Sequence, residues 1–139
     1  MISKTLVFLS NHRYFLYISL LLLTVITLSL TLLPPDKISP DHRLLQYDKL
    51  GHSIMFGSWT LLLGLTRIVS NLRPLPLLPI FLTGSIFGIT VEILQEILPV
   101  DRQADPYDAL ADIAGCLIAI FILNIITKYS KILYRSMEQ

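Results

Sequence analysis

Three short patterns in this sequence could do chemistry. Asp48-Lys49-x-x-His52 sets a carboxylate, an ammonium and an imidazole within about one helical turn, and Glu92-x-x-Gln95 pairs a carboxylate with an amide at helical spacing. Further on, Arg102-x-x-Asp105-x-x-Asp108-x-x-x-Asp112-x-x-Gly115 strings a guanidinium and three carboxylates together. His52 and Glu92 are the candidate acid and base, since both residue types exchange protons when a site tunes them. Asp48, Lys49, Gln95, Arg102, Asp105, Asp108 and Asp112 are candidate binding groups, Arg102 being suited to an anionic group. His52, Glu92, Asp105, Asp108 and Asp112 could also hold a divalent cation, such as Mg, Mn or Zn under different geometries. The spacing matches no standard metal motif, Lys49 and Arg102 could neutralise the carboxylates instead, and no cofactor is specified. Ser53 adjoins His52, but neighbours on a helix point in different directions, so a Ser/His nucleophile pair is not supported.

These groups are carried by an unusually apolar chain. Of its 139 residues, 53% are hydrophobic and only 15% charged, far from the balance of a soluble domain. The charges gather in short segments that separate four long apolar runs, which predicts an all-α, polytopic membrane protein of four transmembrane helices in a single domain. Residues 14–33 carry no charge and would make about 30 Å of helix, enough to span a hydrocarbon core. A cleavable signal peptide is the rival reading; this run is too long for one, and Leu32-Leu33-Pro34-Pro35 offers no small-residue cleavage site.

The second predicted helix, 50–66, contains His52 and is short for a span, so it is expected to borrow residues at both ends. The third, 75–98, has Pro76 and Pro79 in its first turns and holds Glu92, Gln95 and Glu96. The fourth, 109–127, begins near Asp112. Lys4, Arg13, Arg67, Arg73, Lys128, Lys131 and Arg135 fall on one side of such a bundle. Lys37, Arg43, Lys49 and Arg102 fall on the other, interleaved with aspartates, so the positive-inside rule puts both termini in the cytoplasm. A formal charge of +1 argues against a nucleic-acid partner, and Cys116, being alone, is read as a packing residue.

Depth and spacing sharpen the picture. Ionisable side chains inside a span cost a few kcal/mol each and normally face protein or water. His52 lies about a turn inside the outer end of its helix, Glu92 about 9 Å inside the outer end of the next, and Asp108 and Asp112 in the first turns of the fourth. Gly84, Gly88, Glu92 and Glu96 form an i, i+4 stripe with Gln95 beside it. The second helix likewise gathers Asp48, His52, Ser53, Gly57, Thr60 and Gly64, and the fourth Asp108, Asp112, Gly115 and Ala119. The expectation is close helix contact along the small residues, with an outer polar pocket covered by the loop before the fourth helix. Plainer roles compete: Asp108 as a helix cap, Asp48 and Lys49 as interfacial charges, His52 as an internal hydrogen-bonding group and Glu96 as an ordinary interfacial charge. Glu92 resists such a role best, because a buried carboxylate needs a partner cation or a raised pKa.

The three patterns, in this order and spacing, resemble the VanZ-like family of small membrane proteins, over roughly half the chain (48–120). Two positions depart from that family's pattern: Asp112 stands where it usually has Asn, and Asp101 precedes Arg102 where a glycine is common. The resemblance implies a four-helix, multi-pass protein of the bacterial inner or plasma membrane, some members being linked to resistance to the glycopeptide teicoplanin. It supplies no biochemical activity.

Beside the lipid bilayer, the partner expected on this reading is a cell-envelope molecule, lipid-linked or peptidoglycan-related, or a lipid head group, bound or modified at the extracytoplasmic face. The residues support binding and catalysis equally. The alternatives are a structural or accessory protein whose charges form an internal ion-pair network, and a divalent-metal-dependent membrane enzyme. Transport ranks last, since no broken helix or repeated half marks a midplane site.

Overall fold

The computed structural model describes residues 12–33, 48–71, 76–99 and 104–137, and every element among them is helical. Helix α1 is Arg13–Leu32, α2 is Asp48–Asn71, α3 is Leu77–Ile97 and α4 is Pro106–Met137. All four are long and apolar enough to cross a membrane. The second helix does borrow at both ends: it begins at Asp48 and runs past Thr66 through Arg67. The fourth begins three residues earlier than expected and continues well beyond residue 127.

The distribution of polarity is compatible with contact between these helices and a lipid bilayer. The exposed face of α1 carries Phe15, Ile18, Leu21, Leu22 and Val25; that of α3 carries Leu82, Ile86, Ile89 and Ile93; that of α4 carries Leu117, Ile118 and Phe121. The buried positions, by contrast, include Thr27, Thr31, His52, Thr60, Thr66, Ser85, Glu92, Gln95, Asp108, Asp112 and Thr127. A water-soluble domain would reverse this arrangement. In a lipid surrounding, which offers no hydrogen bonds, polar groups are expected to turn inward or bond locally. Thr24, Thr31, Thr66, Thr83, Thr90 and Thr127 each donate to the carbonyl four residues back.

Small residues set the helix spacing, most severely between α2 and α4, the most extensively packed pair. A Cβ added at Gly57 would stand 2.9 Å from the Gly115 carbonyl oxygen, and one at Gly115 would run into the Ser53 carbonyl. The two backbones therefore touch, as glycine pairs permit when hydrophobic driving force between helices is absent. On α3, Gly84 lies against Thr60 and Cys116, and Gly88 against Asp112. Cys116 is fully buried and shares a 3.1 Å contact with Thr60, which is the packing role expected of it.

Helix α1 joins through aromatic and polar contacts. Trp59 Nε1 donates to Thr24 Oγ1 at 2.8 Å, and the Tyr17 hydroxyl meets Ser70 Oγ at 2.9 Å. Phe87 lies between Phe56 and Trp59, with ring centroids 5.3 and 4.7 Å away. These pairings run the chain up and down, so that the end of α1, the start of α2, the end of α3 and the start of α4 share one end of the bundle.

Candidate functional site

At that shared end the ionisable side chains come together. His52, one turn into α2, points Nδ1 at Asp112 Oδ1 of α4, 3.0 Å away, and at Glu92 Oε1 of α3, 3.7 Å away. All three are buried, Asp112 completely. Three helices thus each contribute one member of a carboxylate–imidazole–carboxylate trio. Below it the His52 ring stacks on Phe56 with centroids 6.0 Å apart, an apolar floor.

A second cluster lies nearer the helix ends. Lys49 Nζ donates to Asp105 Oδ2 at 2.7 Å and to Asp108 Oδ1 at 3.0 Å, and it stands 5.6 Å from the centre of the Tyr107 ring. The Lys49 ammonium, with help from the Tyr107 backbone N–H, holds the Asp105 carboxyl below the usual carboxylate range. Lys49 is therefore engaged in an ion-pair bridge between α2 and the start of α4, and Asp108 with it.

The cap of α4 is Asp105, not Asp108. Asp105 Oδ1 accepts the Tyr107 N–H at 2.8 Å, and its carbonyl accepts the Asp108 N–H at 2.9 Å. Pro106 supplies the reason: proline is preorganised for the first helical position and needs no hydrogen bond there, which makes the residue before it the cap. Asp108 sits within the first turn, where its charge still favours the positive end of the helix dipole. The segment before the helix is tied to α3 as well. Glu92 Oε2 accepts the Asp105 N–H and Glu96 Oε2 the Ala104 N–H, both at 3.1 Å. Glu96 is thus a backbone anchor, a task its spacing alone did not assign.

Gln95 faces away from the trio: its Nε2 donates to the Thr31 carbonyl at 2.9 Å. That carbonyl lies in the last turn of α1, where helix carbonyls lack partners of their own. Helix α1 brings no ionisable group to the site but is pinned there by this bond. Asp48 lies half-buried near His52 and Asp108, with which it forms a second group of ligand-capable atoms. Arg102 lies outside the described residues.

The trio is buried between α2, α3 and α4. Space lies beside it, in a cleft of about 340 Å³ between α3 and the start of α4. Its walls include Ile89, Ile93 and Ile97, and Glu92, Glu96 and Asp105 border it. Glu92 belongs to both the buried trio and the cleft. Two carboxylate oxygens in the trio, Glu92 Oε1 and Asp112 Oδ2, are buried without a hydrogen-bond partner among the described residues. Among the described residues Thr27 Oγ1 and Ser85 Oγ share that state, but only in the trio do such atoms belong to carboxylates, although buried polar atoms are nearly always satisfied.

No family model, curated protein or solved structure matches this chain.

Proposed function

We propose that this chain is a VanZ-like integral membrane protein of the bacterial inner or plasma membrane, which binds or modifies a cell-envelope molecule at its extracytoplasmic face. That molecule would be lipid-linked or peptidoglycan-related. The observation that carries the reading is the trio itself, an imidazole 3.0 Å from one buried carboxylate and 3.7 Å from another. A cluster serving only to lock helices would satisfy its own atoms, whereas Glu92 Oε1 and Asp112 Oδ2 are left without hydrogen bonds. An imidazole so placed can take up and return a proton. The adjoining cleft suits an amphiphile, with isoleucines for a hydrocarbon chain and carboxylates for a hydroxyl- or amine-bearing head.

Orientation follows from charge. Arg13, Arg67 and Lys128 belong to the end of the bundle opposite the trio, which by the positive-inside rule supports a cytoplasmic location for that end and for both termini. The resemblance makes glycopeptide susceptibility the phenotype to measure.

A structural or accessory role has one observation in its favour, the Lys49 bridge to Asp105 and Asp108, which ties α2 to the start of α4. The two readings separate in the variants Glu92→Gln and His52→Ala, with membrane level and teicoplanin susceptibility both measured. Normal accumulation with altered susceptibility is the expected result. Normal accumulation with unchanged susceptibility would sink the site reading, and loss of protein from the membrane would favour the structural one.

A further inference from the structure

We infer that His52, Glu92 and Asp112 form a binding site for one divalent transition-metal ion, zinc by preference. The inference rests on the site proposed above and specifies its chemistry. It starts from charge. Among the described residues, the one basic group within ion-pair distance of Glu92 or Asp112 is His52. Lys49 stands instead on Asp105 and Asp108. Two carboxylates enclosed among apolar helices carry a desolvation penalty unless they are paired with a cation or hold a proton. An imidazolium supplies one positive charge against two negative ones. A divalent ion with a neutral imidazole balances both.

Geometry agrees with charge. Around a tetrahedral zinc ion with ligand bonds of about 2.0–2.1 Å, donor atoms stand ~3.3 Å apart. The distances from His52 Nδ1, 3.0 Å to Asp112 and 3.7 Å to Glu92, bracket that spacing. One ligand atom from each of the three lies within 4.8 Å of the others. A hydrogen bond from His52 to Asp112 Oδ1 would account for one contact only. It leaves Glu92 Oε1 and Asp112 Oδ2, on residues 6% and 0% exposed, with no hydrogen-bond partner among the described residues. Glu92 Oε1, buried and turned to His52 without a hydrogen bond, is the donor atom such an ion would engage beside the imidazole.

The surroundings hold the donors in place. Glu92 Oε2 accepts the Asp105 N–H, which leaves Oε1 turned to His52, as outer partners of metal ligands commonly do. Gly88 leaves room for Asp112: a Cβ there would stand 2.8 Å from Asp112 Oδ2. One nitrogen with two oxygens suits zinc, manganese or iron better than magnesium or calcium, which favour larger all-oxygen shells. Three protein ligands leave a fourth position for water or for an oxygen of the envelope molecule. The overlapping group of Asp48, His52 and Asp108 is the poorer site, because Asp108 already carries the Lys49 ammonium, which would repel a second cation.

The test uses the full chain purified in detergent micelles, stripped with a chelator and reloaded with zinc chloride. Metal content after gel filtration, affinity by competition with a chromophoric chelator, and Tm are read on wild type, Glu92→Gln, Asp112→Asn and, as a control on the outer face of α3, Thr90→Ala. About one zinc per wild-type chain is expected, with a Tm rise of about 5 °C or more at saturation. Affinity should fall about 100-fold or more in the two isosteric variants and hold in the control. A folded wild-type chain that retains no stoichiometric zinc, manganese or iron and shows no Tm change on adding them would overturn the inference, whatever the variants do. The envelope-substrate reading fails separately: it falls if Glu92→Gln leaves susceptibility unchanged, even where zinc binds.

Discussion

Gly88→Ala against Gly51→Ala gives the sharpest test of how this bundle is packed. Both glycines lie inside helices, so the substitution by itself should stabilise each helix by up to about 1 kcal/mol. Their surroundings differ. A Cβ at Gly51 meets nothing within 4 Å. One at Gly88 stands 2.8 Å from both the Cβ and Oδ2 of Asp112 and 3.2 Å from its Cγ. Cβ is fixed to the α4 backbone, so rotating the carboxylate cannot relieve that contact and the helices themselves must separate. Overpacking of this kind costs about 1–3 kcal/mol, which outweighs the propensity gain. Gly51→Ala should therefore be neutral to stabilising, and Gly88→Ala destabilising by up to about 2 kcal/mol net. The assay is already in the protein: Trp59 is its single tryptophan, seated on Phe87 at the α2–α3 contact, so its fluorescence follows unfolding of the bundle in detergent. Gly88→Ala should also lengthen the 3.0 Å contact of Asp112 with His52 and weaken metal binding in parallel. Equal stability of the two variants would refute the contact between α3 and α4 at this level.

Three further outcomes follow from named contacts. Gly115→Ala places its Cβ on the Ser53 carbonyl, a backbone atom that cannot turn aside, so it should lower stability by about 3 kcal/mol or more and reduce membrane accumulation, read by quantitative blotting. Gln95→Leu removes the bond to the Thr31 carbonyl; an intramembrane hydrogen bond of this kind is worth about 0.6–1.7 kcal/mol, a loss that unfolding followed at Trp59 should register. The third concerns acid. Asp105 has its folded carboxyl below the ordinary value because of Lys49, so its stabilisation is complete above about pH 4 and is lost as pH falls through the depressed value. Lys49→Met removes that depression and should raise the pH of acid release of the α4 start, followed by hydrogen exchange at the Tyr107 amide; an unchanged profile would remove Lys49 as its cause.

The helices were legible because runs of about 20 apolar residues between charge clusters have the length and composition of a membrane-crossing helix. The inward face of α3 was half legible. At about 100° per residue, an i, i+4 stripe drifts by about 40° each step, so Gly84, Gly88 and Glu92 stay on the buried side while Glu96, about 120° round from Gly84, emerges. Gln95, about 20° from Gly84, returns to the interior and is 2% exposed. The same arithmetic separates the two glutamates from the sequence alone. Pro106 carries the signal that the expectation of Asp108 as cap passed over, since the residue before it, Asp105, caps α4. What spacing could not supply is partnership across helices. Lys49, Asp105, Asp108 and Asp112 all read as one acidic cluster with a lysine in it, yet the packing of α2 on α4 divides them. Lys49 takes Asp105 and Asp108, and Asp112, one turn deeper, is left to His52. That division depends on Gly57 and Gly115 bringing the two backbones into contact. The glycines, which carry no chemistry, thus decide which carboxylates are neutralised and which remain open to a ligand.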